Sequence, residues 1–154
     1  MMNANKKALS AYNASSLDDQ VSSASPHRLI VMLFDGAIKS INLAKFHLQQ
    51  GNIAGKGSSI TQAIAIVEEG LRLSLDKKMG GDLVDNLDAL YEYASHQLLT
   101  ANLRNDEVIL DQILQLMNDL KSAWVSIEHD PRIIEQQNAV ATGATRDVLS
   151  YGRA

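Results

Sequence analysis

The sequence predicts an all-α protein, an antiparallel up-down four-helix bundle with an additional short N-terminal helix or cap segment and a mobile C-terminal tail. Four long segments carry apolar residues at intervals of three and four, the spacing that places them on one face of a helix. No segment alternates apolar and polar residues as a half-buried strand does, and aromatic residues make up only 5% of the chain. No proline interrupts the chain between Pro26 and Pro131, which favours long helices joined by short connections.

The first helix is expected to begin after Ser25 and to end before Gly51. Ser25 is a good N-cap residue, and Pro26 falls at the first helical position, where its missing N–H costs nothing. Apolar residues then recur at helical spacing as far as Leu48. A helix of about 25 residues accounts for this pattern.

The opening turns of this helix contain six apolar residues in a row, "LIVMLF" at 29–34. Six consecutive positions cover more than one helical turn, so a single covering layer cannot bury them all. The side that continues the later stripe is expected to face the core, and it comprises Leu29, Leu33 and Ala37. The other side is expected to need separate cover, and it comprises Ile30, Phe34 and Ile38.

The second helix is expected to run from about Ser58 to Lys78. Its core stripe comprises Ile60, Ile64, Val67, Leu71 and Leu75. The preceding stretch, "GNIAGKGSS" at 51–59, is interpreted as a flexible connection between helices. A phosphate-binding loop is disfavoured because the glycine spacing is one residue short and Gly57 stands where such a loop needs Ser or Thr.

The third helix is expected to open with Asp82 as its N-cap, after two glycines. Its predicted core stripe comprises Leu83, Leu87, Leu90, Ala94, Leu98 and Ala101. A second apolar set lies beside that stripe and comprises Val84, Tyr91 and Leu99, with Tyr93 further round. This surplus indicates either a wide core or a groove for a partner, and the tyrosines favour the groove because their rings bury while their hydroxyls stay wet.

The fourth helix is expected to be capped by Asp106 and ended by Pro131. Its predicted inner stripe comprises Ile109, Ile113, Leu116, Leu120, Trp124 and Ile127. Residues 1–130 are therefore predicted to form one helical domain, in which 1–25 are a cap segment, and residues 131–154 a weakly structured tail. The sparse apolar residues of the cap segment are Leu9, Tyr12 and Leu17 with Val21.

The composition of the chain limits the classes of partner and the cellular compartment that we expect for the protein. The net charge of −4 and the pI near 5.5 argue against nucleic acid or an anionic membrane as the main partner. The start of the chain lacks the apolar core of a signal peptide, and no apolar stretch is long enough to span a membrane. A cytosolic protein without membrane insertion is expected.

Residues that support catalysis or bind cofactors are not arranged for such chemistry. There is no cysteine, and no two of the four histidines are three or four residues apart on a helix. Glu92 and His96 are four apart, whereas the bundle di-metal motif needs Glu and His three apart on two helices. We therefore expect no catalytic residue, no cofactor and no metal, and a non-enzymatic protein.

Several of these stretches resemble one known family. They are "SASPHRLIVMLFDGA" (23–37), "GGDLVDNLDALYEYA" (80–94), "LLTANLRND" (98–106) and "SAWVSI" around Trp124, and they are similar to the FliS family of flagellar export chaperones. The resemblance implies a cytosolic helical bundle that binds the C-terminal region of flagellin and prevents its premature polymerisation. It also implies delivery of flagellin to the flagellar type III export gate. The tail after Pro131 has no part in the resemblance.

The resemblance also implies roles for particular residues. Tyr12 matches the N-terminal tyrosine of the family, and the segment that contains Leu9, Tyr12 and Leu17 is expected to lie over part of the client surface when no client is bound. The candidates for a client groove are Ile30, Phe34, Ile38, Asn86, Leu90, Tyr91, Tyr93 and Asn102. Asn86 and Asn102 are equally consistent with buried amides. The alternative function is a non-enzymatic bundle adaptor that binds another amphipathic partner helix.

Overall fold

The computed structural model of the chain describes residues 24–76, 78 and 80–128. The helices are α1 (Pro26–Gln49), α2 (Ile53–Ala65), α3 (Asp82–Arg104) and α4 (Glu107–Glu128), and a π-helical segment (Ile66–Arg72) continues α2. No strand occurs in this part of the chain, and the predicted all-α fold is confirmed. The predicted cap segment (except its last two residues) and the predicted tail lie outside the described residues.

The four helices pack around one core, and each helix contacts two neighbouring helices. α1 packs against α2 and α4, and α3 packs against α4 and against α2 with its π segment. The connections 50–52 and 105–106 are short, so the helices that they join run antiparallel, as in an up-down bundle. The largest fully buried side chains come from all four sides and include Phe34, Ile41, Ile60, Leu71, Tyr91, Leu98, Leu110, Ile113 and Met117.

The start of α1 follows the sequence prediction, but its phase does not. The Ser25 hydroxyl accepts the N–H of Arg28 at 3.1 Å, and Pro26 is the first helical residue. Phe34, expected on the side that needs separate cover, is wholly buried in the core, and its ring lies 6.4 Å from that of Tyr91. Leu29 is only half-buried. The core stripe therefore runs between the two predicted sides, because an unbroken apolar run carries no phase of its own.

The second helix begins at Ile53, so the flexible connection predicted for 51–59 is wrong. Asn52 caps the helix by accepting the N–H of Gly55 at 2.9 Å, and Gly51, with a φ of 74°, ends α1. Gly55 lies within the first turn against α1, where a Cβ would come 2.8 Å from the Cγ of His47. This glycine permits the close approach of two helices instead of breaking one.

The two glycines of this turn give a matched pair of variants. Gly55→Ala is expected to lower the free energy of unfolding by about 1 kcal/mol, because the His47 and Asn52 side chains must move to admit the methyl group. Gly57→Ala is expected to raise it by about 0.5 to 1 kcal/mol, since the nearest atom, Asn102 Oδ1, is 3.8 Å away and alanine is the better helix former. Thermal unfolding of both variants measures the difference, and equal effects would contradict this packing.

The second helix also ends earlier than expected. The π segment stops at Arg72, and the chain continues through turns where the sequence predicted helix as far as Lys78. α3 then starts with Gly81 as the N-cap and Asp82 as the first helical residue, which corrects the predicted Asp82 cap. Gly80 and Gly81 have positive φ angles of 65° and 103°, a conformation that favours glycine.

The arginine at the end of the π segment joins it to α3. Its guanidinium donates to Asp88 at 2.7 Å, to Glu92 at 3.0 Å and to Glu68 at 3.1 Å. The hydrogen bond with Asp88, together with the carboxylate of Glu68, raises the pKa of Arg72 above its ordinary value. Asp88 and Glu92 of α3 therefore both bind this cation.

The core face of α3 contains four residues of the predicted stripe but differs from it in the first turns. The four are Leu87, Ala94, Leu98 and Ala101. Val84 and Tyr91, which were assigned to the second set, are buried. Leu83 and Leu90, which were assigned to the core stripe, are 40% and 36% exposed. Leu99 is 48% exposed. Two neighbouring stripes of this helix are both apolar, so the periodicity alone did not decide which one faces inward.

α4 agrees more closely with its prediction. One carboxylate oxygen of Asp106 accepts the N–H groups of Val108 and Ile109 at 2.9 and 3.2 Å, so the predicted cap is confirmed. Ile113 is buried, and the other predicted stripe residues are half-buried. Leu110 and Met117, which lie outside the predicted stripe, are fully buried.

Candidate functional site

An apolar pocket opens at the end of the bundle where α1 and α3 begin. Its volume is about 280 Å³. It is lined by Pro26, Leu29, Ile30 and Leu33 of α1, by Ser74, Leu75 and Asp76 of the connection, by Val84, Leu87 and Tyr91 of α3, and by Trp124 of α4. We call it the end pocket. Among the described residues, the connection that follows the π segment forms one side of the pocket through Ser74, Leu75 and Asp76.

A ring cluster forms one wall of the end pocket. The Trp124 indole donates a hydrogen bond to the Tyr91 hydroxyl, and the Trp124 carbonyl accepts one from His27 Nε2 at 2.6 Å. The His27 and Trp124 rings lie 5.1 Å apart. Burial raises the pKa of Tyr91, an effect that the hydrogen bond to Trp124 opposes. Tyr91 therefore stays neutral at physiological pH.

A second apolar surface lies on the outside of α3. Leu83, Leu90 and Tyr93 are 40%, 36% and 51% exposed, and together with exposed Asn86 their spacing of three and four places them along one line. We call Leu83, Asn86, Leu90 and Tyr93 the α3 flank. The opposite side of α3 binds Arg72 of the π segment, so the α3 flank lies on the side toward α4. It is about 15 Å long.

The structure divides the predicted groove residues between these surfaces and the core. Ile30 and Tyr91 both line the end pocket, and Tyr91 is only 1% exposed. Asn86, Leu90 and Tyr93 belong to the α3 flank. Phe34 is a core residue and is withdrawn as a groove candidate, while Ile38 is half-buried against the core.

The two asparagines also separate. Asn86 is exposed, so its interpretation as a buried amide is wrong. Asn102 is half-buried near the far end of α3, about 16 Å along the helix from Tyr91. Its carbonyl accepts a hydrogen bond from Lys56 Nζ at 2.8 Å. Asn102 therefore helps to join α2 to α3 and is not part of either apolar surface.

Sequence reasoning missed His27, Lys56 and Leu83. His27 is completely buried and binds the Trp124 carbonyl, which is almost a hundred residues away in the sequence. Its position beside a helix start did not indicate this contact. Lys56 is only 3% exposed although it lies between two glycines that suggested a loop. Leu83 was detected as apolar but was placed in the core. Only the tertiary arrangement of the helices reveals these roles.

The described part of the chain offers little for chemistry on a substrate. Among residues 24–76, 78 and 80–128, no three His, Asp or Glu side chains are grouped so as to bind a metal ion. Glu92, which lies four residues before His96, forms an ion pair with Arg72. The helices described by the structure are also too short or too polar to cross a membrane.

Comparison with known families decides the relationship. A model of the family described as flagellar protein FliS matches residues 8–131, which include all four helices. The chain belongs to this family. The resemblance predicted from the four motifs is therefore confirmed. Leu9, Tyr12 and Leu17 lie inside the FliS match, and the residues after 131 lie outside it.

Individual FliS proteins are similar over most of their length. The flagellar secretion chaperone FliS of Salmonella typhimurium is 41% identical over 119 residues, which are 77% of this chain and 88% of that protein. The Escherichia coli protein of the same name is 40% identical over 129 residues, 84% of this chain and 95% of that protein. The flagellar secretion chaperone FliSB of Pseudomonas aeruginosa is 42% identical over 123 residues, with coverages of 80% and 97%.

Proposed function

We propose that this protein is a cytosolic flagellar secretion chaperone that binds the C-terminal region of flagellin, prevents its premature polymerisation and aids its delivery to the flagellar type III export gate. Membership of the FliS family carries this proposal, and the names of its relatives supply the secretion chaperone role. The two apolar surfaces beside α3 support binding of an amphipathic helical client. Holding such a client requires no catalysis.

In the proposed mechanism, apolar surface of the chaperone takes the place of the neighbouring flagellin helices that would otherwise pack against the flagellin terminus. A flagellin terminus that assembles through helices exposes an unpaired apolar face while it is a monomer. The α3 flank and the end pocket provide apolar surface for that face. Folding of a disordered segment on binding costs about 2 to 5 kcal/mol, so tight binding needs an interface on the order of 1,000 to 3,000 Å². The net charge of −4 helps to keep the unoccupied chaperone from associating.

Titration calorimetry with a flagellin C-terminal peptide tests the proposed client directly. We expect saturable binding with a negative heat-capacity change, the mark of apolar burial. The control is an amphipathic helix of equal length and charge from an unrelated protein. Equal affinity for both peptides would contradict the flagellin chaperone and favour the general helix adaptor.

The α3 flank makes a specific prediction about client binding. Leu90→Asp and Tyr93→Asp should each weaken flagellin peptide binding by about tenfold or more, as interface anchors do when they are removed. Both side chains are already partly exposed, so the bundle should stay folded. Leu103→Asp is the matched control, because Leu103 is 77% exposed near the far end of the same helix. A control that weakens binding as much as Leu90→Asp would contradict the placement of the site.

We further propose that the segment containing Leu9, Tyr12 and Leu17 covers part of the client surface when no client is bound. Its apolar residues are sparse, so its docking should be weak and a client should displace it. Deletion of residues 1–17 should leave the bundle folded, increase binding of the dye ANS, and keep or raise the affinity for the flagellin peptide. A truncated protein that stays folded yet binds no client would show that the segment belongs to the binding site.

A further inference from the structure

The residues after the FliS match include apolar side chains that lie close in sequence to the end of α4. We propose that Ile133 and Ile134, the first apolar residues beyond α4, dock in the end pocket of the unoccupied protein. The apolar lining of the end pocket and the position of the end of α4 beside it support this placement. Its consequence for client affinity rests on the proposed chaperone function.

The chain leaves the bundle beside the end pocket. Trp124 lines the pocket and lies one helical turn before Glu128, the last residue of α4. One helical turn is about 5.4 Å long, so the residues after α4 start within a short distance of the pocket wall. The occupant therefore needs no long connection.

Pro131 lies three residues after Glu128, the last residue of α4. Proline within a helix removes a backbone hydrogen bond and clashes with the preceding turn, and it disfavours helical geometry in the residue before it. Pro131 therefore disfavours continuation of α4 as one unbroken helix. Ile133 and Ile134 follow two residues later. Extended chain spans about 3.3 Å per residue, so five or six residues from Glu128 reach any part of the pocket.

The pocket suits branched aliphatic side chains. Its walls are mostly apolar, with Leu29, Leu33, Leu87 and Trp124 among them. Its volume of about 280 Å³ accommodates one or two aliphatic side chains. Burying one isoleucine contributes roughly 1.5 to 3 kcal/mol before the entropy of ordering the chain is subtracted. The net docking energy is therefore small, which permits displacement by a client.

Trp124 is the only tryptophan of the chain and is half-buried in the pocket wall, so its fluorescence reports pocket occupancy. The test variant is the full chain with Ile133→Asp and Ile134→Asp together. We expect its Trp124 emission to move to longer wavelength and its ANS binding to rise, with an unchanged far-ultraviolet circular dichroism spectrum. A peptide of residues 129–140 added to this variant should reverse the emission shift. The matched control, Val148→Asp with Leu149→Asp, should leave the emission unchanged.

Two results would overturn the inference. One is an unchanged Trp124 emission in the double isoleucine variant, and the other is an equal shift in the Val148 and Leu149 control. A shift produced by deletion of residues 1–17 and not by the isoleucine variant would identify the N-terminal segment as the occupant, which also contradicts the proposal. These readouts need no flagellin, so they are independent of the proposed function.

The affinity for the flagellin peptide provides a second test of the proposal. If the isoleucines occupy the pocket nine-tenths of the time, the double variant should bind the flagellin peptide about tenfold more tightly. Unchanged affinity together with a shifted emission would overturn the competition, because the client would then not use the end pocket. Failure of both wild type and variant to bind flagellin would contradict the chaperone function and leave the pocket assignment standing.

Discussion

Trp124→Ala should lower the free energy of unfolding by about 3 to 5 kcal/mol, the range observed when a large aromatic residue is removed from a core. The side chain packs against the core cluster and the His27 ring, and its indole donates to the Tyr91 hydroxyl. The variant loses this packing and leaves the buried Tyr91 hydroxyl without its donor. The hydrogen bond from His27 survives, because it uses the backbone carbonyl. Chemical denaturation measures the loss.

Two conservative variants separate packing from hydrogen bonding at this site. Trp124→Phe keeps most of the ring packing and removes the indole donor, so we expect a loss of about 1 to 3 kcal/mol. Tyr91→Phe removes the acceptor, and the double variant should lose less than the sum of the two single variants because both remove the same bond. A Trp124→Ala protein that melts within a couple of degrees of the wild type would show that Trp124 contributes surface and not core.

The fold was predictable from the sequence because helix boundaries leave strong local signals. Ser25 with Pro26 and the Asp106 cap were located correctly, since capping depends on a few adjacent residues. The start of α2 was missed for the opposite reason: Gly55 is explained by the ring of His47 on another helix. A local pattern of glycines predicts a loop unless that neighbour is known.

The candidate site was less predictable than the fold because exposure depends on helix rotation. On α3 two adjacent apolar stripes satisfy the same helical period, and the structure exposes Leu90 while it buries Tyr91. No sequence pattern indicated the end pocket, because its lining comes from three helices and a connection that meet only in the folded chain. Sequence reasoning therefore identified the apolar surplus and the helix that carries much of it, and tertiary packing decided which members face a partner.

Lys56 shows how a charged residue holds the opposite end of the bundle together. Its ammonium group is almost completely buried and donates to the Asn102 carbonyl at 2.8 Å and to the Asn105 side-chain oxygen. Asn105 follows α3 in the left-handed conformation, with a φ of 52°. Lys56 thus places a positive charge at the negative end of α3 and satisfies a carbonyl that has no partner within the helix.

Lys56→Met should therefore lower the free energy of unfolding by about 2 to 4 kcal/mol. Methionine keeps an unbranched chain in the buried space, so the loss reports mainly the two hydrogen bonds and the interaction with the helix end. Asn105→Gly, the control, retains the left-handed conformation and removes only the side-chain acceptor, so a smaller loss of about 1 kcal/mol is expected. In the double variant the losses should not add, since both changes remove the bond between Lys56 and Asn105. A Lys56→Met protein as stable as the wild type would mean that water satisfies the end of α3 and that the lysine does not join α2 to it.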